Sequence, residues 1–162
     1  MTTEFEGGRD ASGKRFGIAV SRYSPKITEA LLASARSCLV ECGAREEDLE
    51  VFWVPGTYEL TMAALWAAET GRFDAVLALG CVVRGETAHD RYISSAVADG
   101  LTQVALDTDV PVLFGVITAN TPDQAVARSG RDDLQAGKGW EAALAAVEMV
   151  GLAAALGRSR QE

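Results

Sequence analysis

Asp74-Ala75-Val76-Leu77-Ala78-Leu79 runs without a break into Gly80 to Tyr92, GCVVRGETAHDRY, and this stretch decides the fold. An uninterrupted apolar run of this length reads as a strand buried on both faces. Ile93 to Leu106 reads as a helix, so a strand, a glycine-containing turn and a helix start follow one another. His89, the only histidine of the chain, falls inside that turn.

The same alternation repeats on either side. Upstream, Arg15 to Val20 predicts a short strand, ended by Ser21 to Pro25, where Ser24 is the expected helix cap and Pro25 suits the first helical position. Ile27, Leu31, Ala35, Cys38 and Leu39 recur at helical spacing up to a stop at Gly43. Val51 to Val54 predicts a second strand, broken by Pro55-Gly56, and Tyr58 to Thr70 a second helix. Downstream, Val112 to Ile117 predicts the fourth strand. Thr121 to Ser129 predicts a short helix, Gly130 to Gly139 a loop and Trp140 to Leu156 a long helix.

Apolar strands joined by helices imply a parallel sheet covered on both faces. The fold class is therefore α/β, a three-layer α/β/α sandwich around a central parallel four-stranded sheet with flavodoxin-like winding. Right-handed crossovers put every strand-to-helix loop on one edge, and ligands of such sheets bind outside the carboxyl ends of the strands. The segments Ser21–Ser24, Pro55–Tyr58, Gly80–Thr87 and Thr118–Thr121 are thus where a site is expected.

Length and composition narrow the function classes. A chain of 162 residues suits one domain, and residues 1–14, glycine-rich and poor in apolar side chains, read as a flexible arm before a domain at 15–157 and a tail at 158–162. The formal charge of −8 repels polyanions, which argues against nucleic acid, although a local pocket of cations and helix N–H groups can still hold a small anion. No apolar run approaches the roughly 20 residues of a membrane span. Cys38, Cys42 and Cys81 form neither a disulfide framework nor a zinc pattern, and the polar, acidic start lacks the form of a signal peptide. Together these predict a cytoplasmic protein without membrane partners.

Several residues on the predicted edge carry candidate chemistry. Thr87 with Asp90 three residues later can be a capping box; the same turn, Gly85-Glu86-Thr87, can be an anion site of backbone N–H groups, and the residues leave both readings open. His89 lies in the first turn of the helix, and imidazole is suited to moving protons near neutral pH. Tyr23 and Tyr58 can stack on a planar ring or pack at the rim. Glu59 can accept hydrogen bonds from ring N–H or hydroxyl donors or simply suit a first helical turn. Arg128 and Lys138, beside the Gly130–Gly139 loop, can be ligands or solvated partners of helix ends.

VPGTYEL at 54–60, GCVVRGETAH at 80–89, FGVITANTPDQAVARSG at 114–130 and GKGWEAALAAVEM at 137–149, in that order, resemble the lumazine synthase family over about residues 15–155. The resemblance implies condensation of 5-amino-6-(D-ribitylamino)uracil with 3,4-dihydroxy-2-butanone 4-phosphate to 6,7-dimethyl-8-ribityllumazine, the penultimate step of riboflavin biosynthesis, with no cofactor or metal. It implies ribitylaminouracil contacts at Tyr23, Thr57, Tyr58, Glu59, Cys81, Val82, Val83 and Phe114. Phosphate contacts are implied at Gly85, Glu86, Thr87 and Arg128, and catalytic roles for His89, Arg128 and Lys138. Phe114, Arg128 and Lys138 are expected from a neighbouring subunit of a homo-oligomer, with a pentamer favoured over a 60-subunit shell and riboflavin synthase an allowed partner. The arm would add a strand to a neighbour's sheet. His89-Asp90-Arg91-Tyr92 departs from the family's usual His-aromatic-Asp-Tyr. Two rival readings are an archaeal-type riboflavin synthase and a non-catalytic flavin- or lumazine-binding shell protein.

Overall fold

The structure is a computed structural model and describes residues 1–158, so the expected tail beyond residue 158 lies outside the described residues. Four strands alternate with helices: β1 (Phe16–Ser21), α1 (Pro25–Glu41), β2 (Leu49–Val54), α2 (Leu60–Glu69), β3 (Ala75–Val83), α3 (His89–Thr108), β4 (Val112–Ala119), α4 (Pro122–Arg128) and α5 (Lys138–Ala155). All pairings are parallel, in the order β2-β1-β3-β4, which is the doubly wound arrangement expected of the pattern.

Strand alternation sends side chains to two cores. Ile18, Val20, Leu77, Leu79 and Ile117 pack against α1 and α5, with Leu31, Ala35, Ala143 and Val147. Ala19, Val76, Ala78 and Val116 pack against α2 and α3, with Leu60, Ala64, Val97 and Leu101. At the amino edge, Arg15 and Arg72 both bond Glu50, at 3.0 and 2.9 Å, and the Arg15 amide donates to Asp74. Charge pairs thus occupy that end, and the opposite edge carries the loops.

Three local expectations change. β3 does not stop at Leu79: Gly80, Cys81, Val82 and Val83 pair with Val116, Ile117, Thr118 and Ala119. Gly80 is not a turn residue but a close-approach residue, because a Cβ there would lie 2.8 Å from Thr57 Oγ1 and 2.9 Å from Leu60 Cδ1. Ser24 is left-handed (φ 60) and makes no side-chain cap; a cap oxygen reaches the first amides from an extended backbone, and Ser24 instead bends the chain. The Thr87–Asp90 capping box does not form. Ala88 occupies the cap position of α3, and Thr87 Oγ1 accepts only from the His89 amide, at 3.4 Å.

The last helix begins at Lys138, two residues earlier than expected, because the preceding segment is pinned to α1. Ser34, fully buried, donates to the Leu134 carbonyl at 2.6 Å and accepts from the Trp140 amide at 2.9 Å. Gly139 lets α5 touch the α1 backbone at Leu31. The residues before β1 form no strand in this chain and cross α5: a Cβ at Gly7 would fall on the Glu148 carbonyl, and one at Gly151 would come within 3.0 Å of the Gly8 amide. Ala11 is buried and its amide donates to the Cys42 carbonyl at 2.8 Å.

Candidate active site

A cavity of about 1070 Å³ opens at the carboxyl edge, on the α2/α3 side of the sheet. Three segments build it. The Pro55–Glu59 corner, a tight helical turn at Thr57–Glu59, forms one wall, and the end of β3 with the following turn forms the floor. The first two turns of α3, presenting His89, Asp90, Tyr92, Ile93 and Ala96, form the other wall, and Tyr23 closes the β1 end.

The corner is held by one buried bond: Thr57 Oγ1 donates to the Cys81 carbonyl at 3.2 Å. With the glycine at 80, that bond lets the corner lie on β3, and the two neighbours of Thr57 are carried with it. Tyr58 and Tyr23 stay open to solvent, 63% and 71% exposed, with ring faces free for a planar partner. Cys81 is buried, and burial pushes its thiol up to about 11, so it offers backbone and apolar contact rather than a thiolate. Val82 lies among the α2/α3 core residues, and Val83 is half-buried at the strand end.

Of the expected site residues, Tyr23, Thr57, Tyr58, Glu59, Cys81, Val82, Val83, Gly85, Thr87 and His89 line this one cavity. Glu86 lies on the far side of the same turn, in a smaller cavity of about 330 Å³ shared with Arg84, Arg91 and Asn120. Phe114, Arg128 and Lys138 are outside it. Phe114 stands in mid-strand on the β4 edge; Arg128 Nη1 donates to the Thr118 carbonyl at 3.1 Å; Lys138 Nζ pairs with Glu141 at 2.9 Å. The cavity itself has no Lys or Arg among its described lining residues, and its carboxylates are Glu59 and Asp90.

Sequence reasoning placed Pro55 and Gly56 only within an expected site segment and gave no site role to Tyr92, Ile93 or Ala96. His89 and Tyr92 are three apart on α3 and Tyr92 and Ala96 four apart, so one helical face was the available signal. Among the described residues no group of three or more His, Cys, Asp or Glu could hold a metal ion. None of the described helices is long and apolar enough to cross a membrane.

Fold and cavity together define a doubly wound α/β enzyme of small molecules, with its site where the strands end. The family model described as 6,7-dimethyl-8-ribityllumazine synthase matches residues 13–154, and the chain belongs to that family. It is thereby a transferase of riboflavin biosynthesis with lumazine synthase activity, and the family acts on small-molecule substrates and assembles as oligomers.

Proposed function

We propose that the cavity condenses 5-amino-6-(D-ribitylamino)uracil with 3,4-dihydroxy-2-butanone 4-phosphate, through an imine, phosphate elimination and ring closure, to 6,7-dimethyl-8-ribityllumazine. The observation that carries this reading is the convergence of Tyr23, Tyr58, the end of β3 and His89 on one cavity. Tyr23 and Tyr58 flank the pyrimidine, Thr57 and Glu59 meet ribityl and ring donors, and the β3 backbone at Cys81, Val82 and Val83 reads the ring edge. Gly85, Glu86 and Thr87 cradle the phosphate at the start of α3, where amide N–H groups and the helix dipole favour an anion. His89 moves protons between imine formation, elimination and closure. The substrates are reactive by themselves, so holding them together supplies most of the acceleration.

The described residues of one chain bring no Lys or Arg to the large cavity, Arg84 and Arg91 lying on the far side of the Gly85–Thr87 turn, which is the physical argument for a site completed between subunits. Arg128 and Lys138 of a neighbouring copy fill that role, with Arg128 stabilising the leaving phosphate and Phe114 meeting the ribitylaminouracil. Exposed apolar residues support such a contact. Tyr58, Met62 and Trp66 follow one another at four-residue spacing along one side of the α2 region, 63%, 49% and 65% exposed, while Phe114 is exposed on the β4 edge. Two different patches meeting head to tail produce a ring, and a pentamer is the ring we propose, in the cytoplasm, supplying riboflavin synthase.

Mixing the protein with both substrates and following the lumazine by absorbance and fluorescence tests the reaction. Absence of product at high enzyme concentration refutes it. Chromatography with light scattering tests the assembly, for which a particle of about 60 subunits or a monomer would be the wrong answer.

A further inference from the structure

Among the described residues Asp90 is the only acidic one that lines both cavities, standing with Gly85 and Thr87 in the partition between them. The smaller cavity holds Arg84 and Arg91 against Glu86 and Asp90, two charges of each sign. Among the described residues no ion pair or hydrogen bond engages the Asp90 carboxylate. The large cavity is also lined by Glu59, His89, Cys81, Tyr23, Tyr58 and Tyr92, and by no arginine or lysine among the described residues. A dianion at the Gly85–Thr87 turn therefore meets helix N–H groups that attract it and a carboxylate that repels it.

We propose that Asp90 loosens the hold of the site on the phosphate group, so that the free phosphate left by the reaction is released. This rests on the phosphate turn of the proposed function. A phosphate ester is also held through its carbon chain by the cavity, whereas inorganic phosphate has only its charge. The carboxylate penalises the two alike, so the species without other contacts is the one discharged. The elimination step leaves inorganic phosphate beside Asp90, and its repulsion opens the site for the next turnover.

The probe is inorganic phosphate, titrated directly by phosphorus NMR into the assembled wild-type protein, Asp90→Asn, Arg91→Gln and, as a charge control, Asp99→Asn. Asp99 is exposed on the same helix and lines neither cavity. At low ionic strength Asp90→Asn tightens phosphate by about three- to tenfold, the size expected of one charge acting across a solvated turn, and the gain shrinks in high salt. Arg91→Gln weakens it and Asp99→Asn leaves it unchanged. An unmoved or weaker constant in Asp90→Asn overturns the inference, as does an equal gain in Asp99→Asn or no phosphate binding to wild type. If Asp90→Asn does not fold, Asp90→Ser takes its place, and an unmoved or weaker constant there overturns it. Lumazine formation in the same wild-type preparation separates the two readings: turnover with an unmoved phosphate constant removes only the role of Asp90, and failure of turnover removes the proposed reaction.

Discussion

Replacing Gly80 by Ala tests how the site is positioned from a residue that itself lines neither cavity. The added Cβ would lie 2.8 Å from Thr57 Oγ1, 2.9 Å from Leu60 Cδ1 and 3.2 Å from Thr57 Cγ2, closer than packed carbons tolerate, so the corner must lift from β3. Overpacking of this kind costs about 1–3 kcal/mol. Lifting the corner also strains the Thr57–Cys81 bond, a buried hydrogen bond worth about 1 kcal/mol. The sum, about 2–4 kcal/mol, corresponds to a fall in Tm of roughly 4–16 °C for a chain of this size. Thermal unfolding at fixed protomer concentration measures it, since assembly makes Tm concentration-dependent. Because Tyr58 and Glu59 ride on the corner, KM for the ribitylaminouracil should rise several-fold while His89 stays in place. Thr57→Ala removes both Oγ1 and Cγ2 from the contact, so the double variant should be less damaged than the two single variants added together, by about 1 kcal/mol or more. Wild-type Tm and KM in Gly80→Ala, or strict additivity with Thr57→Ala, would refute this account of the corner.

His89→Ala should lower kcat by about 10²-fold, the low end for general acid–base catalysis, with little change in KM. Arg128→Ala should fall further when the butanone phosphate is limiting, and near-wild-type turnover there would exclude a phosphate role. Mixed assemblies of His89→Ala and Arg128→Ala subunits should recover activity that neither has alone, because a shared site can draw His89 and Arg128 from different copies; no recovery counts against a site between subunits. Gly7→Val should clash with the Glu148 carbonyl and free residues 1–10 for proteolysis, costing about 1–3 kcal/mol, and an unchanged cleavage pattern would exclude the packing over α5. Burial raises the Cys81 thiol from the usual 9.0 to about 11 and that of Cys38 to about 12, the latter helped by neighbouring Cys42. Above about pH 9 the unfolded chain therefore loses protons that the folded chain keeps, so stability should fall as pH rises from about 9 toward 11. Cys38→Ala with Cys81→Ala should flatten that decline in urea midpoints measured across the range.

The strand and helix order was legible along the chain because each strand is a short apolar run and each helix has its own apolar period. Asp74 to Leu79 and Ile27 to Leu39 show this most plainly. Parallel pairing then follows from connection length, and with it the edge on which Tyr23, Thr57, Gly85 and His89 meet. Local patterns misled where a residue type has two uses. Gly80 reads as a turn and serves as clearance for Thr57; Thr87 and Ser24 read as caps and make neither cap.

What the sequence by itself determined is the doubly wound order and the carboxyl-edge location of the site, since period, apolar run and loop length are properties of contiguous residues. What only the tertiary structure decided is which side chains share a cavity. Pairing with β4 extends β3 to Val83, the Thr57–Cys81 bond sets the corner, Asp90 falls into the partition between two cavities, and Arg128 and Lys138 lie outside the cavity of their own chain. These facts depend on contacts between residues distant in the chain, and no local pattern encodes them.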